Sequence, residues 1–247
     1  MNKAIFLLWA CLLLNVSCVS KATVDTKKHE TKCDSADLSG FYVLDTNLTY
    51  NEVRLKINSI RAGIDTNSIS KDSLSCIFTR LFVYNLIPYW YGTGWSFEGH
   101  TSVPREGTIA CGYFVSTTLK DMGFNLNKYT LAQQLPVHEA MSIQMDSDLL
   151  IIQHQSKYDN IEELRKRLQE GLYLIGFDQG HVGFLYKHSD LFLIHSNYLY
   201  SQGVAIERIE ESVVFSNYSR FYIAEISTNY KLLRKWISKE EIKVIGL

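Results

Sequence analysis

The chain has 247 residues, of which 46% are hydrophobic and 21% are charged. That composition is typical of a globular protein with a sizeable core and excludes a disordered chain. Its 25 basic and 26 acidic residues give a formal net charge of -1. The sequence therefore lacks the basic excess of a nucleic-acid-binding protein, and we expect no nucleic-acid partner.

The first residues predict a secretory leader. After the short basic start Met1-Asn2-Lys3, the run from Ala4 to Val16 is almost entirely apolar. This run is shorter than the ~20 residues that a transmembrane helix needs, so we expect residues 1–17 to form a signal peptide. Ser17-Cys18 is similar to a bacterial lipoprotein cleavage site, which makes Cys18 the candidate for lipidation. Ordinary signal-peptide cleavage is the alternative, so we expect either an envelope lipoprotein held by its N-terminal lipid or a secreted protein.

The five cysteines have different expected roles. Cys11 lies inside the leader, and Cys18 is the lipidation candidate. An oxidising compartment permits a disulfide between Cys33 and Cys76, which the sequence leaves open. No cysteines have CxxC spacing and the histidines are dispersed, so we expect no metal and no cofactor. Cys111 remains as the cysteine available for chemistry.

Two helices are predicted before residue 85. Thr49 and Glu52 fit a capping box, which predicts a helix that runs to about Arg61. A second helix is predicted over Lys71 to Tyr84, because its apolar residues repeat at helical spacing. We interpret these helices as a packing layer; an independent binding module is the alternative.

The middle of the chain changes character. Residues 85–112 are rich in glycine, proline, aromatic and polar residues, and they predict a long loop of the kind that is usually functional. A short helix is predicted to begin at Cys111 and to stop at Gly123. Asn160 with Glu163 fits an N-cap pair and predicts a charged helix.

The last third predicts strands. Five short segments rich in β-branched and aromatic residues are separated by turn residues: LYLIGF, HVGFLYK, LFLIHSN, VAIERI and FYIAEI. They are typical of an antiparallel meander. Helices followed by strands predict an α+β fold, in which N-terminal helices pack on a central antiparallel sheet.

Cys111 is the candidate nucleophile. A helix N-terminus presents free N–H groups and a positive partial charge, which stabilise a thiolate and the oxyanion of an acyl-transfer intermediate. Gly112 leaves the sulfur uncrowded, and we expect it to line the substrate site. A buried core thiol is the alternative for an isolated cysteine of this kind.

His181 is the candidate general base. It opens a predicted strand after the turn at Gly180, which we also expect beside the substrate, and it can take the thiol proton. His195 follows in the next predicted strand, where it can orient the base as the third member of a triad does. Asp178 is the alternative partner. The other histidines are expected at the surface or in loops: His100, His138, His154 and His188.

At these residues the sequence resembles the NlpC/P60 family of papain-like cysteine peptidases. Three segments carry the resemblance, and they span residues 86–197. Pro88-Tyr89-Trp90-Tyr91-Gly92 is similar to the family's Pro-Tyr-x-Trp-Gly-Gly. Ala110-Cys111-Gly112-Tyr113-Phe114-Val115 is similar to Asp-Cys-Ser-Gly-Phe-Val. His181-Val182-Gly183-Phe184-Leu185-Tyr186, with Ile194-His195 after it, is similar to His-Val-Gly-Ile-Tyr and the next strand.

The resemblance implies a papain-like fold with the nucleophile at a helix N-terminus. It also implies Cys111 as nucleophile, His181 as base, His195 as the third polar residue and Tyr89 as a substrate-binding residue. The substrate it implies is a peptidoglycan stem peptide or a similar amide. Ala110, Thr93 and a long segment between Gly92 and Cys111 depart from the family pattern and indicate a divergent branch with its own specificity.

The sequence thus predicts a chain in five parts. These are a signal peptide (1–17), a flexible tether (18–38), a helical region (39–84), a papain-like catalytic domain (85–230) and a C-terminal extension (231–247). The predicted function is a secreted or lipid-anchored hydrolase that cleaves peptidoglycan amide bonds through a Cys-His-His triad and a thioester. The alternatives are an amidase or peptidase for a non-wall substrate and a catalytically silent envelope-binding lipoprotein.

Overall fold

The first helix begins where the sequence predicts. The computed structural model describes residues 47–145, 148–178, 180–199 and 202–246, so the predicted leader, tether, Cys18 and Cys33 lie outside the described residues. Helix α1 spans Tyr50–Ala62, and both halves of the capping box are present. The Thr49 backbone N–H donates to the Glu52 carboxylate at 2.8 Å, so the predicted cap is confirmed.

The second helix is longer than predicted. Helix α2 (Lys71–Arg80) continues through a π-helical segment (Leu81–Leu86) into α3 (Ile87–Trp90). The Asn85 side-chain amide donates to the Arg80 carbonyl at 3.0 Å. Pro88, which has no backbone N–H, lies in the first turn of α3. The predicted loop over residues 85–90 is therefore wrong, and the predicted boundary at residue 85 falls within a helical segment.

The next helices carry the candidate nucleophile. Helix α4 spans Cys111–Asp121, as predicted, and Gly123 follows it with φ of 101°. Two short helices come after it, α5 (Lys128–Ala132) and α6 (Pro136–Gln144). His138, predicted at the surface or in a loop, lies instead in α6 and is half-buried.

Six strands form one antiparallel sheet in the described chain. They are β1 (Leu150–Gln153), β2 (Gly171–Phe177), β3 (His181–Lys187), β4 (Leu191–Asn197), β5 (Gly203–Arg208) and β6 (Arg220–Glu225). The five predicted strands are confirmed, and β1 is the strand that the sequence did not indicate. With the helices, this sheet makes the fold α+β, as predicted.

The strand order differs from a simple meander. The order across the sheet is β1-β6-β2-β3-β4-β5, so only β2 to β5 follow one another. The chain returns through the short helix α8 (Val213–Ser216), and β6 then pairs with the free edge of β2. A meander was predicted because neighbouring strands usually pair, but the last pairing is decided by which edge is open.

Both faces of the sheet are covered. Alternate strand residues belong to two separate hydrophobic clusters, as the period of two in a strand requires. One cluster joins the sheet to the N-terminal helices, and its members include Ile57, Phe78, Trp90, Phe114, Phe184 and Trp236. The other lies on the opposite face and includes Ile161, Tyr173, Phe177, Leu193, Phe215 and Phe221.

Helices α7 (Lys157–Arg167) and α9 (Tyr230–Ser238) also pack on this core. Helix α7 is capped by Ser156. The predicted cap Asn160 is wrong, because its buried side chain donates to the His154 carbonyl. Helix α9 lies in the predicted C-terminal extension, and its Trp236 is fully buried and donates to the Met122 carbonyl at 2.7 Å.

No helix within the described ranges is long and apolar enough to cross a bilayer.

Candidate active site

Cys111 is the first residue of α4. The preceding Ala110 is extended, with φ of -75° and ψ of 160°, so the helix starts abruptly and its first N–H groups are not capped by a side chain. Cys111 is half-buried and is a free thiol. The backbone N–H groups of Val182, Gly112 and Cys111 itself act on its sulfur to lower the pKa of the thiol. The thiol therefore lies against the backbone at the start of β3.

The Cys111 thiol is protonated at rest. Burial raises the pKa of Cys111 to about 11, and the charge of Glu139 acts in the same direction. The surrounding N–H groups act to lower that pKa, which is the direction that the helix start predicts. Burial outweighs them, so the net shift in the pKa of Cys111 is upward although the residue lies at a helix start.

A buried carboxyl group lies beside the start of α4. Glu139 of α6 is 2% exposed and its Oε2 atom has no hydrogen-bond partner. Burial raises the pKa of Glu139 well above its ordinary value. A Cβ atom on Gly112 would lie 2.6 Å from the Ala132 carbonyl oxygen and 3.2 Å from Glu139 Oε1. Glycine at position 112 therefore allows close packing of these helices, while its role in substrate binding stays a prediction.

The two candidate histidines are in direct contact. His181 Nε2 lies 2.8 Å from His195 Nδ1, and the two side chains are 1% and 0% exposed. Gly183 makes this contact possible, because a Cβ atom there would lie 2.9 Å from the Cβ atom of His195. The predicted cross-strand neighbours thus meet diagonally across β3 and β4.

His181 is a neutral imidazole. Burial lowers its pKa well below the ordinary value, and the neighbouring His195 adds to that effect. Phe177 and Tyr198 pack on the ring, with centroids at 5.2 and 5.4 Å. The Nδ1 atom of His181 is buried and has no hydrogen-bond partner, so it is the nitrogen that remains for proton transfer.

An acidic residue lies behind the histidine pair. Glu207 Oε1 is 3.1 Å from His195 Nε2, although the N–H of His195 is not aligned on that oxygen. Burial acts to raise the pKa of Glu207, but the neighbouring His195 and Ser212 side chains hold that pKa below its ordinary value. Glu207 is therefore a carboxylate at neutral pH.

Aromatic side chains surround the end of the sheet where β3 begins. The Tyr218 hydroxyl approaches Gly180, where a Cβ atom would lie only 2.7 Å from it. Burial and the neighbouring Tyr198 raise the pKa of Tyr218, and the charge of an ionised Cys111 acts in the same direction. Gly180 thus lies beside Tyr218, and its role in substrate binding stays a prediction.

The segment between Gly92 and Cys111 contributes a wall beside these residues. Trp95 packs on Tyr198 with ring centroids 6.1 Å apart. The segment is tied to the sheet at both ends, because Val204 N–H donates to the Thr93 carbonyl at 2.8 Å and Ser196 Oγ donates to the Ile109 carbonyl at 2.6 Å.

The remaining predicted residues have other contacts. The Tyr89 hydroxyl donates to the Leu48 carbonyl, and its role in substrate binding stays a prediction. Asp178 is exposed with φ of 39°. His195, and not Asp178, is the polar residue that contacts His181 Nε2. His154 pairs with Glu163.

The two cysteines within the described residues differ in their bonding state. Cys76 is disulfide-bonded, whereas Cys111 is free. The partner of Cys76 lies outside the described residues, so its pairing with Cys33 stays a prediction. The described part of the chain contains no group of three or more His, Cys, Asp or Glu residues arranged to hold a metal ion.

Sequence reasoning missed Glu139, Glu207 and Tyr218. The sequence offered one weak indication of Glu207. In a β4–β5 hairpin, Ala205 pairs with His195, and Glu207, two residues after Ala205, lies on the same face of the sheet. Glu139 and Tyr218 come from segments far from Cys111 and His181 along the chain. Only the packing of α6 and of the segment before β6 brings them to the site.

Similarity to known proteins does not identify this site. No model of a known protein family, no curated protein and no solved structure matches the chain. The contacts of Cys111, His181 and His195 are therefore what supports a functional conclusion.

Proposed function

We propose that the protein is a cysteine hydrolase that cleaves amide bonds in peptidoglycan stem peptides. The observation that carries the proposal is the contact between His181 Nε2 and His195 Nδ1 at 2.8 Å. The backbone N–H of Val182, the residue after His181, acts on the Cys111 sulfur in the direction that stabilises a thiolate. A thiol, a buried imidazole and a polar group behind it are the parts that thiol-based acyl transfer requires.

The proposed reaction begins from neutral partners. Cys111 Sγ attacks the amide carbonyl carbon while the thiol proton passes to His181 Nδ1, because neither group is ionised at rest. This transfer requires the sulfur and Nδ1 to come together in the substrate complex, since Nδ1 has no hydrogen bond in the free protein.

The intermediate then resolves to a thioester. Backbone N–H groups at the start of α4 stabilise the negative charge on the former carbonyl oxygen. His181 returns its proton to the leaving nitrogen, the C–N bond breaks and a free amine departs. Water, deprotonated by His181, attacks the thioester, and the carboxylic acid and the Cys111 thiol are released.

Two sequence features support a papain-like fold and a wall substrate. The segments around Cys111 and His181 resemble the NlpC/P60 family, and the helix-then-sheet order of the chain agrees with that family's architecture. Export to the envelope, with lipidation at Cys18 as the proposed anchor, is supported by the leader. The disulfide at Cys76 also supports export, because disulfides persist in oxidising compartments.

The segment over residues 92–110 favours a second candidate function. Trp95 brings the 92–110 segment next to Tyr198 and the histidine pair. That segment is longer than in the family it resembles, so the same chemistry could act on a non-wall peptide or a small amide.

Incubation with purified peptidoglycan tests the proposal. Full-length wild type, Cys111→Ala and His181→Ala would each be incubated with peptidoglycan, and released fragments identified by mass spectrometry. His188→Ala is the matched control, because its ring stacks on Tyr186 away from the histidine pair.

We expect fragments with new amine ends from wild type and His188→Ala and none from the other two variants. Equal release of fragments by wild type and Cys111→Ala would contradict the assignment of Cys111 as the nucleophile. Activity on a panel of small amides but not on peptidoglycan would favour the second candidate. Binding to peptidoglycan with no hydrolysis of either substrate would favour a catalytically silent envelope protein.

A further inference from the structure

The histidine pair admits two proton arrangements. One hydrogen joins His181 Nε2 to His195 Nδ1 across 2.8 Å, and either nitrogen can carry it. If His181 Nε2 carries the proton, then Nδ1 of neutral His181 has a lone pair and can accept the thiol proton. If His195 Nδ1 carries it, then His181 Nδ1 is protonated and cannot act as a base.

Glu207 distinguishes these two arrangements. Its Oε1 atom lies 3.1 Å from His195 Nε2, and a carboxylate at that distance favours a protonated Nε2. A neutral His195 that is protonated at Nε2 must present a lone pair at Nδ1, so it accepts from His181 Nε2–H. The opposite arrangement would place the His195 Nε2 lone pair against a negative oxygen.

The position of Glu207 follows from the sheet. His195 is paired with Ala205 across β4 and β5, and Glu207 lies two residues further along the same face, which is a diagonal neighbour position. Glu207 is held there by its surroundings. His195 faces it from β4, Lys157 from α7 and Ser212 from the segment after β5.

We infer that Glu207 is a positioning residue that sets the tautomer of His195 and, through it, keeps His181 Nδ1 unprotonated for Cys111. The inference rests on the proposed function for its purpose, but the proton arrangement itself does not depend on catalysis. The unpartnered, buried Nδ1 atom of His181 is the nitrogen that this arrangement leaves as a lone pair. Glu207 also stabilises the histidine pair when His181 becomes an imidazolium during the reaction.

Imidazole nitrogen NMR tests the inference directly. The full-length chain would be labelled with 15N at histidine, and the tautomer of each ring read from its two nitrogen shifts. We expect Nε2–H on both His181 and His195 in wild type. In Glu207→Gln the negative charge is absent, and we expect a substantial fraction of His181 to carry its proton on Nδ1.

Two further variants make the result specific. Glu207→Asp keeps the carboxylate on a shorter side chain, so most His181 rings in this variant should have the wild-type tautomer. If Glu207→Gln does not fold, Glu207→Asp still tests whether moving the carboxylate away from His195 shifts the tautomer. Glu211→Gln is the matched control, because the Glu211 side chain is 71% exposed and pairs only loosely with Arg208 at 3.9 Å; its spectrum should match wild type.

Nδ1–H on His181 in wild type would overturn the inference, as would an unchanged tautomer in Glu207→Gln. Hydrolysis supplies a second readout. We expect Glu207→Gln to lower kcat by about 10- to 100-fold with little change in KM, as is usual for groups behind a reacting residue. A tautomer shift in a wild-type protein that hydrolyses nothing would support the role of Glu207 while the proposed function fails.

Discussion

His181 Nε2 lies 2.8 Å from His195 Nδ1, and both rings are buried. Because one imidazole is fixed by the other, His181 cannot turn freely, and its remaining nitrogen is held in one direction. In the proposed reaction, a base held in this way is oriented before the substrate arrives.

The resting state of the thiol predicts slow alkylation near neutral pH. Since the pKa of Cys111 is raised to about 11, iodoacetamide should modify it about 300-fold more slowly at pH 7.5 than it modifies a free thiol of pKa ~8.5. The rate should keep rising up to about pH 11. Mass spectrometry of peptides that contain Cys111 measures this, and a rate that levels off below pH 8 would contradict the protonated resting state.

Glu139→Gln should lower the pKa of the Cys111 thiol. The charge of Glu139 raises the pKa of Cys111, and glutamine removes that charge at similar volume. We expect the alkylation profile of Cys111 to move to lower pH in this variant. An unchanged profile would mean that the carboxyl group stays protonated throughout the titration of the thiol.

The same substitution should alter the pH dependence of stability. Burial raises the pKa of Glu139 in the folded protein, whereas the unfolded chain releases this proton near pH 4.3. Stability is therefore lost as pH rises from that value through the raised pKa. Urea unfolding at pH 4 and pH 8 should show the variant gaining relative to wild type at the higher pH.

A matched control separates this effect from a general change in charge. Glu162→Gln alters a side chain that is 70% exposed, so its stability relative to wild type should be nearly the same at both pH values. A parallel response of the two variants would contradict the assignment to burial of Glu139.

Gly183→Ala should disturb the histidine pair. The new Cβ atom would lie 2.9 Å from His195 Cβ and 3.0 Å from the Ile194 carbonyl oxygen, so the two strands must shift. We expect a loss of about 1–3 kcal/mol in the free energy of unfolding and loss of hydrolysis. Gly63→Ala is the control, because its nearest contact would be an ordinary 3.6 Å; similar losses in both variants would count against crowding at His195.

Thr49→Ala should weaken the start of α1. The hydroxyl of Thr49 accepts from the Glu52 N–H at 3.3 Å, and the Thr49 N–H donates to the Glu52 carboxylate at 2.8 Å. Removing the hydroxyl should cost about 1 kcal/mol of stability in urea unfolding. Lys56→Ala, at an exposed position of the same helix, should cost much less, and hydrolysis should be unaffected by either change.

Much of the local structure was predictable from the sequence. The capping box at Thr49, the start of α4 at Cys111 and its stop at Gly123 each depend on a few adjacent residues, and each is confirmed. The five predicted strands are confirmed because β-branched and aromatic runs between turn residues are a local signal. The helix break predicted after Tyr84 is wrong, since a π-helical segment accommodates Pro88.

The candidate site was only partly predictable. Cys111, His181 and His195 were identified from their order along the chain, and the structure brings the two histidines into contact. Their ionisation was not predictable, because the pKa of Cys111 depends on burial and on Glu139, which comes from another helix.

The sequence by itself determined the starts of α1 and α4, five of the six strands and three candidate site residues, because these depend on propensity, capping and spacing over short distances. Only the tertiary structure decided that β6 lies beside β2, that Glu139 lies behind Cys111 and that Glu207 contacts His195. Strand pairing and burial join residues that are distant in the chain, and burial is what keeps Cys111 protonated at rest despite its position at a helix N-terminus.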